Sequence, residues 1–190
     1  MLFFLQKTIS LSPRLNDKKG KNAPMTEKEF ADIMKQYSEP LYWQIRRMVN
    51  SHDDANDLLQ NTFMKAWVNA DSFREDSKVS TWLYRIAINE TLDFLRKQKR
   101  TLSATSIDEV NALANHISAD KYFDGDEAQA KLQAAIATLP PTQRNVFNMK
   151  HFSDMKYAEM SEILGTSEGA LKASYHLAVQ KITKFFSKED

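Results

Sequence analysis

Apolar residues recur every three or four positions along most of the chain, and that spacing predicts helices rather than strands. The first such segment follows Thr26, which can cap a helix whose first turn carries Glu27 and Glu29. Pro40 predicts the first turn of a second helix, capped near Ser38, because proline fits a helix start better than a helix interior. The pattern therefore predicts two consecutive helices at the beginning of the folded chain.

The next two helices are predicted by the same periodicity. Ser51 or Asp53 can cap a third helix, and its inward positions are Ala55, Leu58, Leu59, Thr62, Phe63, Ala66 and Trp67. Residues 71–79 are polar and predict a loop. Ser80 opens a fourth helix that runs to about Arg100, with apolar positions at Leu83, Ile86, Ala87, Phe94 and Leu95.

The helical pattern stops at residues 101–126 and resumes at Glu127. Pro140 and Pro141 end one helix and start the next, and Gly165 joins two further helices. We therefore predict an all-α fold of two small helical domains joined by an acidic flexible linker, with a helix-turn-helix in the C-terminal domain. The predicted units are residues 25–100 and 127–190, with residues 101–126 as the linker.

Composition supports this organisation and excludes several classes of protein. The chain has 190 residues and no cysteine, which excludes a disulfide scaffold and a cysteine-ligated zinc site. No apolar run approaches the length of a membrane span, so we expect no membrane insertion. The net charge is +1, but residues 101–126 carry five carboxylates and one lysine. Such local asymmetry is typical of a linker between domains.

Residues 1–24 differ from the rest of the chain in being polar and basic over much of their length. Their short apolar run, Leu2 to Leu5, is too brief for the core of a signal peptide. We expect either a disordered tail or a stretch that precedes a native start at Met25.

The segment from Met155 to His176 predicts a helix-turn-helix. Gly165 permits the left-handed conformation of a sharp helix exit, and Ser167 can cap the next helix. The candidate groove-facing residues of that second helix are Glu168, Lys172, Ser174 and His176. Its first turns would reach base edges, as in a recognition helix. The alternative is a plain helical hairpin with a solvated polar face.

Two further constellations carry candidate chemistry in the first predicted domain. Asp54, Asp57, Gln60 and Asn61 form a polar stripe beside the buried stripe of the third helix. The stripe is a candidate docking face for a protein, and its alternative is an ordinary solvated face. The segment from Asp71 to Arg85 combines aromatic and basic residues, which can stack on unpaired bases and neutralise their backbone. Its alternative is that Trp82 and Tyr84 belong to the core.

These segments, in this order, resemble a bacterial RNA polymerase sigma factor of the extracytoplasmic-function group. The stretch from Asp54 to Phe63 resembles the core-binding helix of that group, and the stretch from Ser80 to Arg96 resembles its helix for promoter melting and minus-ten recognition. Leu139 to Arg144, followed by the helix-turn-helix, resembles its minus-thirty-five-binding domain. The resemblance covers Met25 to about Phe186.

The resemblance implies a cytoplasmic subunit that gives core RNA polymerase its promoter specificity. It assigns Asp54, Asp57, Gln60 and Asn61 to the clamp helices of the β′ subunit. It assigns Glu168, Lys172, Ser174 and His176 to the minus-thirty-five element. The residues that it assigns to the minus-ten strand are Phe73, Lys78, Ser80, Trp82, Arg85, Asn89 and Asp93. Promoter DNA, the β flap and a possible anti-sigma factor complete the expected partners, and no catalytic group, metal or cofactor is expected.

Two other functions compete with this interpretation. A stand-alone helix-turn-helix regulator would explain residues 155–182 but leaves the polar stripe and the aromatic loop without a role. A metal-dependent enzyme is suggested by the dipeptide His52-Asp53, with His116, His151 and His176 as further ligands. A metal site needs ligands that converge on one point, and the spacing of these histidines does not predict convergence.

Overall fold

The structure, a computed structural model, describes residues 25–49, 51–70, 73, 78–101 and 127–187. In these ranges the chain forms the helices α1 (Glu27–Val49), α2 (His52–Val68), α3 (Val79–Thr101), α4 (Glu127–Ala137), α5 (Pro141–His151), α6 (Tyr157–Leu164) and α7 (Glu168–Phe186). We call α1–α3 the N-terminal half and α4–α7 the C-terminal half. The all-α prediction is confirmed. The predicted tail and the predicted linker from residue 102 onward lie outside the described residues.

Helix starts in the structure follow the capping residues of the sequence. Thr26 and Glu29 form a reciprocal pair: the Thr26 hydroxyl accepts from the Glu29 N–H at 3.2 Å, and the Glu29 carboxylate accepts from the Thr26 N–H at 2.9 Å. Ser51 and Ser167 cap α2 and α7 by accepting backbone N–H groups of their first turns. Each serine accepts a hydrogen bond from a backbone N–H that has no partner inside the helix, so the local sequence determines where these two helices begin.

The prediction of a helix break at Pro40 is wrong, since α1 continues from Glu27 to Val49 with Pro40 inside it. Proline removes one backbone donor, and Ser38 donates its hydroxyl to the Met34 carbonyl one turn earlier instead of capping a new helix. The apolar stripe is not interrupted: it runs through Phe30, Met34, Tyr37, Leu41, Ile45 and Met48. Burial of that continuous stripe outweighs the local cost of the proline.

The N-terminal half packs around the inner face of α2. All seven positions predicted to face inward on this helix are buried. The rings of Phe63 and Phe30 meet edge-on with centroids 6.3 Å apart, and the ring centroids of Trp67 and Phe30 are 5.0 Å apart. Leu83 and Ala87 of α3 are fully buried in this core. These contacts leave the opposite face of α2 toward solvent.

The C-terminal half has a smaller core of its own and shares the larger one. Ile136, Leu139, Phe147, Ala178 and Ile182 form the smaller cluster between α4, α5 and α7. Six other buried side chains of this half join the cluster of the N-terminal half, namely Val146, Met149, Met155, Met160, Ile163 and Leu171. Helices α5 and α6 therefore pack directly on α1 and α3.

The helix-turn-helix geometry is the one that the sequence predicts. Helix α6 ends at Gly165, whose φ of +62° lies in the left-handed region. Helix α7 then starts behind Ser167, and Leu171, Ala178 and Ile182 form its buried side. Pro140 and Pro141 separate α4 from α5, also as predicted.

Candidate functional site

The predicted docking stripe lies on the outer face of α2. Asp57 and Asn61 are exposed, while Asp54 and Gln60 are half-buried at its edges. The structure extends this face toward the end of the helix with two exposed apolar side chains, Met64 (41% exposed) and Val68 (71% exposed). Sequence analysis missed both, because their apolar character suggests burial. The outer face of α2 thus combines acids, amides and uncovered apolar groups, a mixture suited to a protein partner.

The candidate strand-binding residues of the N-terminal half lie along α3 and just before it. The rings of Phe73 and Trp82 are 5.0 Å apart, and Trp82 is half-buried against the core. Arg85, Asn89 and Asp93 follow at intervals of four and are exposed. Asp93 forms an ion pair with Arg96 one turn later. Residues 71–72 and 74–77 of the predicted loop lie outside the described residues.

The four candidate residues of α7 do not share one face. Glu168, Lys172 and His176 are exposed and lie four residues apart on one side. The ammonium of Lys172 is 3.7 Å from the carboxylate of Glu168 and 5.5 Å from the centre of the Tyr157 ring. Ser174 lies on another side of the helix and lines a crevice toward α3. A helix turns 200° in two residues, so Ser174 cannot point with Lys172 and His176.

A crevice of about 380 Å³ lies between α3 and the side of α7 that carries Ser174. Arg85 and Asn89 of α3 line one wall, and Thr166, Ala170 and Ser174 line the other. At one end the crevice is bridged, because the Arg85 guanidinium donates to the Glu162 carbonyl with Nε at 3.1 Å. The side of α7 that carries Ser174 therefore faces α3, and the side that carries Glu168, Lys172 and His176 does not line this crevice.

A wider groove of about 940 Å³ runs between α1, the start of α3 and the loop that joins α5 to α6. Trp43 is 40% exposed on its wall, and the Arg47 guanidinium lies 4.4 Å from the centre of the Phe152 ring. Burial lowers the pKa of Arg47. The pKa of Tyr84, also on the wall, is raised mainly by burial and further by the carboxylate of Glu159. Lys78 and Ser80, both strand-binding candidates, line this groove as well.

A buried polar cluster joins the two halves at the C-terminal end of α1. It consists of Gln44, Arg144, Asn145 and Asn148. The Gln44 amide donates to Asn145 Oδ1 at 2.8 Å, Arg144 Nη1 donates to the Met48 carbonyl at 2.8 Å, and Asn148 Nδ2 donates to the Arg47 carbonyl at 3.3 Å. Burial lowers the pKa of Arg144 to about 10. Sequence analysis missed this cluster, because polar residues at helical spacing predict a solvated face.

The histidines in the described part of the chain do not gather into a metal centre. His52 is held on both ring nitrogens, by Tyr42 Oη at 2.8 Å and by Asn56 Nδ2 at 2.7 Å. His151 stacks on Phe147 instead, and His116 lies outside the described residues. Among those described, no three His, Asp or Glu side chains are placed to hold a metal ion.

Within the described ranges, none of the helices combines the length and the apolarity that a bilayer crossing requires. The polar side chains at the surfaces described above can donate and accept hydrogen bonds, and the aromatic side chains offer rings for stacking. The arrangement is therefore suited to binding a protein and nucleic acid.

Comparison with known families and proteins gives matches over both halves. The family described as "Sigma-70 region 2" matches residues 33–101, and the family described as "Sigma-70, region 4" matches residues 129–182. The ECF RNA polymerase sigma factor SigW of Bacillus subtilis (strain 168) is 33% identical over 163 residues, which cover 82% of this chain and 87% of SigW. The ECF sigma factor SigM of Mycobacterium tuberculosis (strain H37Rv) is 31% identical, over 76% of this chain and 70% of SigM.

Two solved structures share the fold. The sigma factor RpoE of Bartonella quintana, in complex with the anti-sigma factor NepR, superposes with a TM-score of 0.65 and 24% identity. That superposition covers 84% of this chain and 98% of RpoE. CnrH, in complex with the cytosolic domain of CnrY, gives a TM-score of 0.64 at 19% identity and covers 87% of this chain and 92% of CnrH. At these identities the likeness supports the all-α architecture.

Proposed function

The chain belongs to the extracytoplasmic-function group of RNA polymerase sigma factors, and on that premise we propose which of its surfaces contact polymerase and promoter DNA. Its function is that of a sigma factor: it directs transcription initiation by binding core polymerase and recognising and melting specific promoters. The observation that carries this conclusion is the order of the two matches, region 2 before region 4 in one chain.

Residues 25–100 are proposed as the unit for core binding, melting and minus-ten recognition, and residues 127–190 as the unit for minus-thirty-five recognition. The segregation of the helices supports this division, since α1–α3 pack mainly with one another and α7 packs with α4, α5 and α6. Residues 101–126 are proposed as the linker, whose carboxylates would approach the RNA path of the polymerase.

The outer face of α2 is proposed to bind the clamp helices of the β′ subunit. Its exposed acid and amide, Asp57 and Asn61, can pair with basic and polar groups of a partner. Met64 and Val68 would add apolar contacts at the other end of the face. Apolar groups surrounded by polar ones are the usual arrangement of a protein interface.

Helix α3 and the residues before it are proposed to hold the melted minus-ten strand. The pair of Phe73 and Trp82 offers aromatic surface near Lys78, which supports a pocket for an unpaired base. Arg85 and Asn89 supply donors along the next turns of the helix. Turning a base out of its stack costs a few kcal/mol, which these contacts and those of the polymerase must offset.

The side of α7 that carries Glu168, Lys172 and His176 is proposed to face the minus-thirty-five element. Ser174 is proposed to contact DNA only from the edge of that face, since it lies on another side of the helix. The C-terminal half is also proposed to meet the β flap of the polymerase. An anti-sigma factor is proposed as a further partner, because RpoE was solved with the anti-sigma factor NepR. The chain is also proposed to act in the cytoplasm with RNA polymerase, as a relative of SigW.

Run-off transcription with core polymerase from the same host tests these proposals. The double variant Asp57→Ala with Gln60→Ala removes a charge and an amide from the outer face of α2. We expect it to reduce core binding and transcription together. A matched control is Asp32→Ala with Gln36→Ala, which removes the same two side-chain types from exposed positions of α1. The control is expected to transcribe like the parent chain.

Three outcomes separate the proposals. Defined transcripts that disappear only in the α2 variant support both the function and the docking face. Transcripts that survive the α2 variant keep the function and contradict the docking face. Tight binding of promoter duplex by the free chain, without binding to core polymerase, would favour the stand-alone regulator instead.

A further inference from the structure

The ring of Tyr157 lies between two lysine ammonium groups on the surface of the C-terminal half. Tyr157 is the first residue of α6, and the centre of its ring is 5.8 Å from Lys150 Nζ and 5.5 Å from Lys172 Nζ. An ammonium at such a distance is attracted by the electron-rich face of the ring. The tyrosine itself is half-buried and packs against the larger core. A ring that the core fixes therefore restricts where these two lysines point.

The two lysines differ in what else holds them. Lys150 Nζ donates to Asp154 Oδ1 at 2.7 Å, and this hydrogen bond raises the pKa of Lys150 and lowers the pKa of Asp154. Lys172 Nζ lies 3.7 Å from Glu168 Oε2, which is longer than a normal hydrogen bond. The ammonium of Lys172 is thus held by the ring and by an ion pair, and its N–H groups can donate to an acceptor outside the chain.

The pairing of Lys172 with Glu168 favours base edges over phosphates as its target. Both side chains are exposed on the side of α7 that is proposed to face DNA. The carboxylate would be repelled by the negative phosphates, whereas it can accept a hydrogen bond from the amino group of a base. In the major groove a G·C pair presents the acceptors O6 and N7 of guanine beside the N4 amino donor of cytosine. The two opposite charges on α7 are complementary to that edge.

Tyr157 gives this charged pair a fixed direction. A lysine on an exposed helix face has many rotamers, and binding to DNA selects one of them at an entropic cost. The ring belongs to α6, so it restricts Lys172 from outside α7 and does so before DNA arrives. An ammonium that already lies beside Glu168 loses less freedom on reaching a guanine than one that moves freely in solvent.

We propose that Tyr157 is a positioning residue for base recognition: its ring holds Lys172 beside Glu168, so that the two side chains together select a G·C pair in the minus-thirty-five element. The inference rests on the proposed assignment of this side of α7 to that element. It adds a residue of α6 to a surface that is otherwise assigned to α7 alone.

Base selection by the full chain tests the proposal. The chain and core polymerase from the same host are mixed with promoter fragments whose minus-thirty-five element is randomised, and the bound fragments are sequenced. We expect the parent chain to enrich a G·C pair at one position. Tyr157→Leu removes the ring but keeps an apolar side chain, and it should reduce that enrichment about two- to fivefold. Tyr157→Phe keeps the ring and should stay within a factor of about two of the parent.

The dependence on Lys172 separates positioning from a general structural role. Lys172→Met should abolish the G·C enrichment, and adding Tyr157→Leu to it should change the base preference no further, because coupled residues are not additive. Phe152→Leu is the matched control and should leave the base preference unchanged. It removes another half-buried ring of the same half, whose contacts are with the side chains of Arg47, Phe147 and His151.

The outcomes distinguish this inference from the proposed function. Unchanged enrichment in Tyr157→Leu, or an equal loss in Tyr157→Phe, would overturn the inference and leave the proposed function intact. A further change of base preference when Tyr157→Leu is added to Lys172→Met would overturn it too, because the ring would then act by another route. If Lys172→Met keeps the parent's preference, the assignment of Lys172 to the minus-thirty-five element fails and the inference fails with it.

A measurement on the parent chain covers the case in which Tyr157→Leu does not fold. The ε-methylene protons of a lysine that lies over an aromatic ring resonate upfield of their usual position in a proton spectrum. We expect this shift for Lys172, whose signals are identified by their loss in Lys172→Met, and not for the exposed Lys35 of α1. Equal positions for the signals of the two lysines would overturn the inference.

Discussion

Helices α2 and α3 belong to the same half but meet their surroundings differently. Each buries one face in the core that they share with α1. The opposite face of α2 is open, with Val68 71% exposed. The opposite side of α3 is covered in part by α5 and α6: Ile88 is only 5% exposed and Arg85 is bonded across the gap, while Asn89 and Asp93 are exposed. The difference shows that the outer face of α2 is free of contacts with the C-terminal half, whereas part of the outer side of α3 is engaged in them.

The largest expected effect comes from placing a charge on the open face of α2. Val68→Glu places a carboxylate where the proposed interface is apolar, and burying it without a partner would cost several kcal/mol. We expect the affinity for core polymerase to fall by about a hundredfold. The melting temperature should not change, because the side chain is mostly exposed in the free chain. Equilibrium binding to core polymerase without promoter DNA measures the effect.

Val179→Glu is the matched control for that variant. Val179 is also an exposed helical valine, on α7 of the other half. Measured against the isolated clamp helices of β′, so that the β flap proposed to meet this half is absent, its substitution should leave binding within a factor of about three, since surface changes away from an interface cost little. Equal losses of affinity in the two variants would mean that a new charge harms binding wherever it is placed. That result would contradict the proposal that the outer face of α2 binds the polymerase.

The next largest effect concerns the two arginines that donate to backbone carbonyls. Arg144→Met leaves the carbonyls of Met48, Ala137 and Leu139 without their donor, and each was a bond to a charged group. We expect a loss of about 2 kcal/mol in the free energy of unfolding. Arg85→Met removes an exposed guanidinium instead, and less than about 1 kcal/mol should be lost. Urea denaturation of both variants and the parent chain provides the measurement.

The pH dependence of the stability that Arg144 contributes has a definite sign. Burial lowers the pKa of Arg144 from its ordinary value to about 10. Below pH 10 the group is charged in both the folded and the unfolded chain, so unfolding takes up no proton there. Between the two values the unfolded chain holds more protons, and this group favours folding increasingly as the pH rises. The stability difference between the parent and Arg144→Met should therefore be the same at pH 6 and pH 8, and a slope over that range would contradict the assignment.

The comparison also shows which parts of the molecule were predictable from the sequence. The periodicity of α2 predicted all seven of its buried positions, because a single face of that helix meets the core. Ser167 and Gly165 predicted the helix-turn-helix through local backbone chemistry alone. The break at Pro40 was predicted wrongly, since a local rule was outweighed by burial along the whole of α1.

The contact between the halves was not predictable by the same rules. Asn145 and Asn148 are polar, and polar residues on a helix normally face water. Here they are 2% and 0% exposed, because α1 presents them with an amide and a helix end. Only the relative position of the two halves creates those partners. For a related reason, the sequence analysis grouped Ser174 with Glu168, Lys172 and His176. The residue type of Ser174 suits DNA contact, but its position on α7 faces α3.

The smallest expected effect comes from the ion pair that links the two compared helices. Lys65 of α2 pairs with Glu90 of α3, and the lysine side chain is 57% exposed. Because solvent screens such a pair, Lys65→Met should cost less than about 1 kcal/mol in the free energy of unfolding. Lys35→Met, at an exposed position of α1, is the control. Urea denaturation at low and high salt should show similar values for both variants. A larger, salt-dependent loss at Lys65 would mean that electrostatics rather than the buried core sets the angle between α2 and α3.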